Sequence, residues 1–217
     1  EANRHVFSRE DFMLKPVQRD GLAFISANNS GCYAYDVGFG KTLCAIHTLA
    51  SVLKEGKVKR PLVAIPKPVY NNWVREMFGF WTDGQEKRFE EFPGSQFIKG
   101  ALTGTKYKLQ LWYNLSQAIE FENKLVEPYT ITLVSYQGLE KIGYSRKLRE
   151  EMANDLTTII GKQSVAASAD ERKKAQEKED VLSKIGLAES ETEIDVDTCG
   201  FDYLVIDEAH NFKNVFG

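Results

Sequence analysis

Cysteine is scarce in this sequence, with three in 217 residues, at positions 32, 44 and 199. That spacing neither pairs ligands for zinc nor lays out a disulfide framework, so both classes are set aside and a reducing, cytoplasmic setting is expected. Long apolar runs are lacking too. No stretch reaches the length that spans a bilayer and no signal peptide is visible, so no membrane partner is expected. Charge of one sign is not in excess. The formal net charge of -3 gives no whole-chain sign of a nucleic-acid partner, and any such surface must be a local patch. There is no internal repeat. There is also no initiator Met, and the abrupt ends suggest a piece of a longer protein.

What is present is an ordinary globular composition, 42% hydrophobic and 27% charged, enough for one domain with a sizeable core. "GCYAYDVGFGKT" reads as a short apolar strand breaking into a glycine-bearing turn. "TLCAIHTLASVLKEG" follows with Leu43, Ile46, Ala50 and Leu53 at helical spacing, and Gly56 stands where a helix C-cap is expected. "PLVAIP" (61–66) reads as a buried strand. "VYNNWVREMFGFW" puts Val69, Trp73 and Met77 on one helical stripe. "TITLV" (130–134) and "DYLVI" (202–206) are further strands, rich in β-branched or aromatic residues. "SREDFMLKP" is read as a short helix capped by Ser8 and closed before Pro16. Strands alternating with helices predict a parallel sheet covered on both faces.

The stretch from Gln137 to Gly200 is different. "REEMANDLTTIIGKQ" and "DERKKAQEKEDVLSKIG" are charged and helical in pattern, and "ESETEIDVD" reads as an acidic linker. An insertion of this size is long for a connection between two strands. It is expected to be a solvated helical excursion, placed at about 140–200, with few core contacts; a partner-binding or nucleic-acid-binding module is the alternative.

"YDVGFGKT" (35–42) carries the first chemistry. Gly38 and Gly40 let the backbone turn tightly and aim N–H groups at phosphate oxygens. Lys41 supplies a positive charge to the β/γ-phosphates. The Thr42 hydroxyl is placed to bind Mg²⁺ at a helix start, whose dipole favours the anion. Tyr35 stands where the full phosphate-loop pattern has its first Gly.

The second chemistry lies in "FDYLVIDEAHNFKN" (201–214). Alone, an Asp-Glu pair at a strand end is most often a turn. Beside a phosphate loop it matches the need of an ATPase for a metal carboxylate and a base on one strand. Asp207 takes the metal and Glu208 the attacking water. His210 would couple the nucleotide to a neighbouring segment.

These residues carry a resemblance. "DEAH" after an apolar strand, with "GFGKT" upstream, is similar to the first RecA-like lobe of superfamily-two helicases and translocases. "LKPVQRDGLAFI" (14–25), "DVGFGKT", "PKPVYNNWVREM" (66–77), "LVSYQGL" (133–139) and "DEAHNFKN" resemble, in order, the motifs of the Swi/Snf-like branch. In that branch Tyr35 is no departure. The resemblance implies an α/β, three-layer RecA-like P-loop domain, 1–217, with a mostly parallel sheet and the helical insertion. The loop would follow the strand ending near Tyr35, and the acidic pair would end a nearby central strand.

The resemblance also implies roles. ATP and Mg²⁺ are the cofactors, with Gln18 reading adenine. Double-stranded DNA is the partner. It would be gripped through its backbone by Pro66, Lys67, Thr103, Gly104, Ser135 and Tyr136, on loops at the far side of the sheet's ligand edge. A second RecA-like lobe, which supplies arginines across the cleft, lies outside these residues, so the 217 residues alone would be barely active. The alternatives are an RNA-acting DEAH-type helicase and a non-catalytic DNA-docking or scaffold lobe. The Asn-Phe before Lys213 further resembles the helicase regions of large methyltransferase–helicase proteins carried by phages and mobile elements.

Overall fold

Among the described residues the strands, in chain order, are β1 (Pro61–Ile65), β2 (Phe80–Trp81), β3 (Phe97–Ile98), β4 (Lys108–Trp112), β5 (Thr130–Ser135), β6 (Ile142–Gly143), β7 (Ile194–Asp195) and β8 (Tyr203–Ile206), and four of them form the main sheet in the order β4–β5–β1–β8. All three pairings are parallel. Residues 14–81, 97–112, 117, 123–161 and 194–209 are the part of the chain that the computed structural model describes. The readings of a helix capped by Ser8, of "DERKKAQEKEDVLSKIG" and of the residues from His210 onward lie outside them.

β1 and β5 are buried along their whole length, as unbroken apolar or β-branched runs require when both sheet faces are covered. On one face Val63, Ile65, Ile131 and Leu133 pack with Ile46, Leu49 and Leu53 of α2 (Lys41–Lys54) and with Trp73 and Met77 of α3 (Tyr70–Phe78). On the other, Leu62, Ala64 and Val134 pack with Trp112, Val126, Ile194 and Cys199. This gives the mostly parallel α/β layering expected. α1 (Pro16–Asn28) begins on Pro16, where a missing N–H costs nothing, and lies against α2. Gly56, just past α2, has φ +72°, in keeping with its reading at the helix end.

Three expectations need correction. First, residues 31–35 form no strand. The segment alternates, with Tyr33 and Tyr35 half-buried and Cys32 and Ala34 exposed, yet it has no ladder partner among the described residues. Its place in the count of four strands is taken by β4, which sequence reading missed because "KLQLW" carries only a weak alternating pattern. Second, β8 is an edge strand of the described sheet, not a central one. Its burial alternates, and Leu204 and Ile206 are 54% and 36% exposed. A four-residue apolar run looks the same in sequence whether one or both of its faces are covered.

Third, the acidic linker is structured at its end. Ile194–Asp195 pairs in parallel with Ile142–Gly143, and a helical turn, Val196–Cys199, follows. Ile194 and Cys199 are fully buried in the second core cluster, so this end of the insertion is anchored in the core. The helix Arg146–Gly161 matches the first charged helical pattern.

Candidate nucleotide site

The glycine loop sits between an extended segment and α2. Gly38 and Gly40 have φ of +85° and +75°, a region that side chains rarely adopt, so the sequence needs glycine at both places. α2 then starts at Lys41, and its first-turn N–H groups have no acceptor within the helix. That end of a helix favours an anion. Lys41 folds back over its own loop, donating from Nζ to the carbonyls of Tyr35 at 3.0 Å and Asp36 at 3.4 Å.

The loop is held from behind by α1. Gln18 is buried; its Nε2 donates to the Phe39 carbonyl at 2.8 Å, and its Oε1 accepts from the Lys15 N–H at 2.8 Å. A Cβ on Gly40 would come within 2.8 Å of that Nε2, so a larger residue there would push the glutamine away from its bond to the loop. Tyr35 donates to the Val17 carbonyl at 2.8 Å, and its hydroxyl occupies the space a Cβ on Gly21 would need. Tyr33 shares a 2.6 Å hydrogen bond with Thr48, and burial pushes its phenol up to about 12. Sequence reading missed these tyrosine supports. A glycine inside a helix, here Gly21, was the signal available for them.

Across a cleft of about 1160 Å³ stands the acidic pair. Gly38, Gly40, Lys41 and Thr42 line one wall, and Asp207 and Glu208 the other, so two motifs about 165 residues apart in the chain face one space. β8 delivers Asp207 at its carboxyl end, and the Asp207 N–H continues the ladder to the Ala64 carbonyl at 2.9 Å. Glu208 turns out of the strand with φ +50°, a costly setting for a non-glycine residue and of the kind that gathers at functional sites.

The donor set suits magnesium. Among the described residues there is no cluster of three or more His, Cys, Asp or Glu that would cage a metal without help. One carboxylate and one hydroxyl, Asp207 and Thr42, share the cleft with room for phosphate, and magnesium is commonly bound by one or two carboxylates plus phosphate oxygens. Asp207 accepts one hydrogen bond on each carboxylate oxygen, so lone pairs remain for a metal or its water.

The six residues expected to grip DNA are not gathered into one surface. Pro66 and Ser135 leave β1 and β5 at the same sheet edge from which Asp207 leaves β8, with Lys67 and Tyr136 beside them. Thr103 and Gly104 lie in the turn that leads toward β4, at the opposite edge. The Thr103 hydroxyl is committed there, donating to the Phe78 carbonyl and accepting from the Gly100 N–H. Ser135 is fully buried and caps the turn Tyr136–Leu139 by accepting from the Gly138 N–H. The Tyr136 hydroxyl points inward to the Asp207 carbonyl.

The family model of the SNF2-related domain matches residues 12–215. A DNA excision repair protein ERCC-6-like of Danio rerio is 35% identical over 83 residues, which cover 36% of this chain and 6% of that protein. A SWI/SNF-related matrix-associated actin-dependent regulator of chromatin subfamily A containing DEAD/H box 1 of Bos taurus is 28% identical over 130 residues, covering 58% of this chain and 12% of the relative. The ATP-dependent helicase fft1 of Schizosaccharomyces pombe is 36% identical over 87 residues, covering 38% of this chain and 9% of the relative. The matches thus span a small fraction of these relatives' own length.

Proposed function

This chain belongs to the SNF2-related domain family, and we propose that its cleft binds Mg²⁺–ATP as the first RecA-like lobe of a motor that moves along double-stranded DNA. The observation that carries the reading is the meeting of Gly38–Thr42 with Asp207–Glu208 across one cleft. The loop amides and Lys41 receive the phosphates. Thr42 and Asp207 would hold magnesium, which when bound neutralises charge on the transferring phosphate. Glu208 orients the attacking water and takes its proton. Gln18 has one N–H and an acceptor lone pair beyond its two internal bonds, and the adenine role rests on those.

DNA as the partner rests on the relatives, which are described as a DNA repair protein, a regulator of chromatin and a helicase. Within this chain the contact falls to the strand exit at Pro66–Lys67, through backbone groups and the lysine, which grip phosphate without reading sequence. A non-catalytic scaffold is the weaker reading, since Lys41, Thr42, Asp207 and Glu208 are all present and line one cleft. No helix among the described residues is long and apolar enough to cross a membrane.

Calorimetric titration tests the nucleotide site. Wild type is expected to bind Mg²⁺–ADP, and Lys41→Ala to lose most of that affinity while keeping its fold. Equal affinity in the two proteins removes the phosphate role from Lys41.

A further inference from the structure

Asp207 is held from three sides. Trp73, with 0% of its surface exposed, donates its indole Nε1–H to Asp207 Oδ2 at 2.7 Å. The N–H of Glu208 donates to Oδ1 at 3.0 Å. The Tyr136 hydroxyl donates to the Asp207 carbonyl and lies 3.4 Å from the carbonyl of Glu208. With the ladder bond from the Asp207 N–H, every polar group of this residue has a partner.

The two aromatic donors come from different strand exits. Trp73 sits mid-way along α3, which follows β1 through the turn Lys67–Val69. Tyr136 is the first residue after β5. These strands are neighbours, and β8 lies on the far side of β1. A buried indole requires a partner for its N–H, and here that partner is a carboxylate facing the cleft, not a core carbonyl.

We propose that Trp73 and Tyr136 are positioning residues for the metal carboxylate. The indole fixes the rotation of the Asp207 side chain. The phenol fixes the backbone turn that carries Asp207 and sets Glu208 at positive φ. The proposal rests on the Mg²⁺–nucleotide reading of the cleft. Magnesium demands near-ideal octahedral geometry, so a carboxylate free to rotate loses the metal before the loop loses the nucleotide. Partners that orient a ligating group commonly contribute 10- to 100-fold in metal affinity.

The test separates metal from nucleotide. Mg²⁺ is titrated into ADP-saturated wild type, Trp73→Phe and Tyr136→Phe, and ADP affinity is measured separately in excess EDTA. Thermal melts check folding. Expected is unchanged metal-free ADP affinity, with Mg²⁺ affinity lower by about tenfold in Trp73→Phe and by a smaller factor in Tyr136→Phe. Mg²⁺ affinity equal to wild type in both folded variants overturns the proposal. So does a parallel loss of metal-free ADP affinity, which marks both residues as packing only. Should Trp73→Phe fail to fold, Tyr136→Phe, which removes one oxygen, decides alone. A wild type that binds ADP without any gain from Mg²⁺ refutes the underlying Mg²⁺ reading, and the proposal falls with it. That result is distinct from equal variants.

Discussion

At Gln18 both ends of one amide are committed inside the protein, to Phe39 and Lys15. The side chain therefore buttresses the loop, and the proposed adenine role rests on its remaining donor and acceptor. Gln18→Ala is expected to weaken ADP and GDP together, because the loop loses its brace, and also to shrink any preference for ADP. Paired titrations with the two nucleotides read both effects. A loss equal for ADP and GDP would leave the residue as a brace only. The cysteines give a second check at this scale. Burial pushes the thiols of Cys44 and Cys199 up to about 11, so at pH 8 they stay protonated and covered. Cys32 is exposed and lines the cleft. Alkylation at pH 8, followed by peptide mass spectrometry, is expected to label Cys32 long before the other two. Early labelling of Cys44 would mean that α2 is not packed as described.

Among the elements, β8 depends on few attachments. Among the described residues it pairs with β1 alone, and its residues Leu204 and Ile206 are exposed and line the cleft. Its start is fixed by Asp202, whose two carboxylate oxygens accept from the Lys59 N–H at 2.7 Å and the Arg60 N–H at 2.8 Å. These bonds set the register that places Asp207 beside Ala64 at the other end of the strand. Asp202→Ala is expected to cost about 1–2 kcal/mol, since charge-assisted bonds are lost at an exposed site where water replaces part of them. A melt should show a fall of a few degrees. Nucleotide affinity should fall with it, because the strand carries the proposed metal carboxylate. An unchanged melt would show that the β1 pairing alone holds β8.

For the molecule as a whole, the cleft brings together the glycine loop, Asp207 and Glu208, the proposed phosphate, metal and base positions, but the family resemblance assigns the arginines of phosphoryl transfer to a second lobe. Such arginines are worth roughly 10³ to 10⁵ in rate. These 217 residues by themselves are expected to bind nucleotide and hydrolyse ATP at a barely detectable rate, without stimulation by DNA. A protein that includes the second lobe should show DNA-stimulated turnover, and Glu208→Gln should abolish it while ATP stays bound. Phosphate-release assays with and without duplex DNA decide. Brisk DNA-stimulated hydrolysis by the 217 residues, indifferent to Glu208→Gln, would overturn both the half-motor reading and the base assignment.

What the sequence determined by itself was local. The positive-φ glycines at 38 and 40, the amphipathic repeat of α2 and the apolar runs of β1 and β5 are each dictated by a few neighbouring residues, so they could be read directly. The pairing of the glycine loop with Asp207–Glu208 was also legible, because each motif carries its own chemistry. Tertiary structure decided the rest. Whether an apolar run lies at the centre or the edge of a sheet depends on which strands come to lie beside it, which put β8 at the edge and left 31–35 without a ladder. Whether Ser135 and Tyr136 face a partner or the interior depends on what packs over them. Trp73 reads in sequence as one apolar position on a helical stripe. Only the folding of α3 against the end of β8 brings its indole N–H within 2.7 Å of a carboxylate more than a hundred residues away.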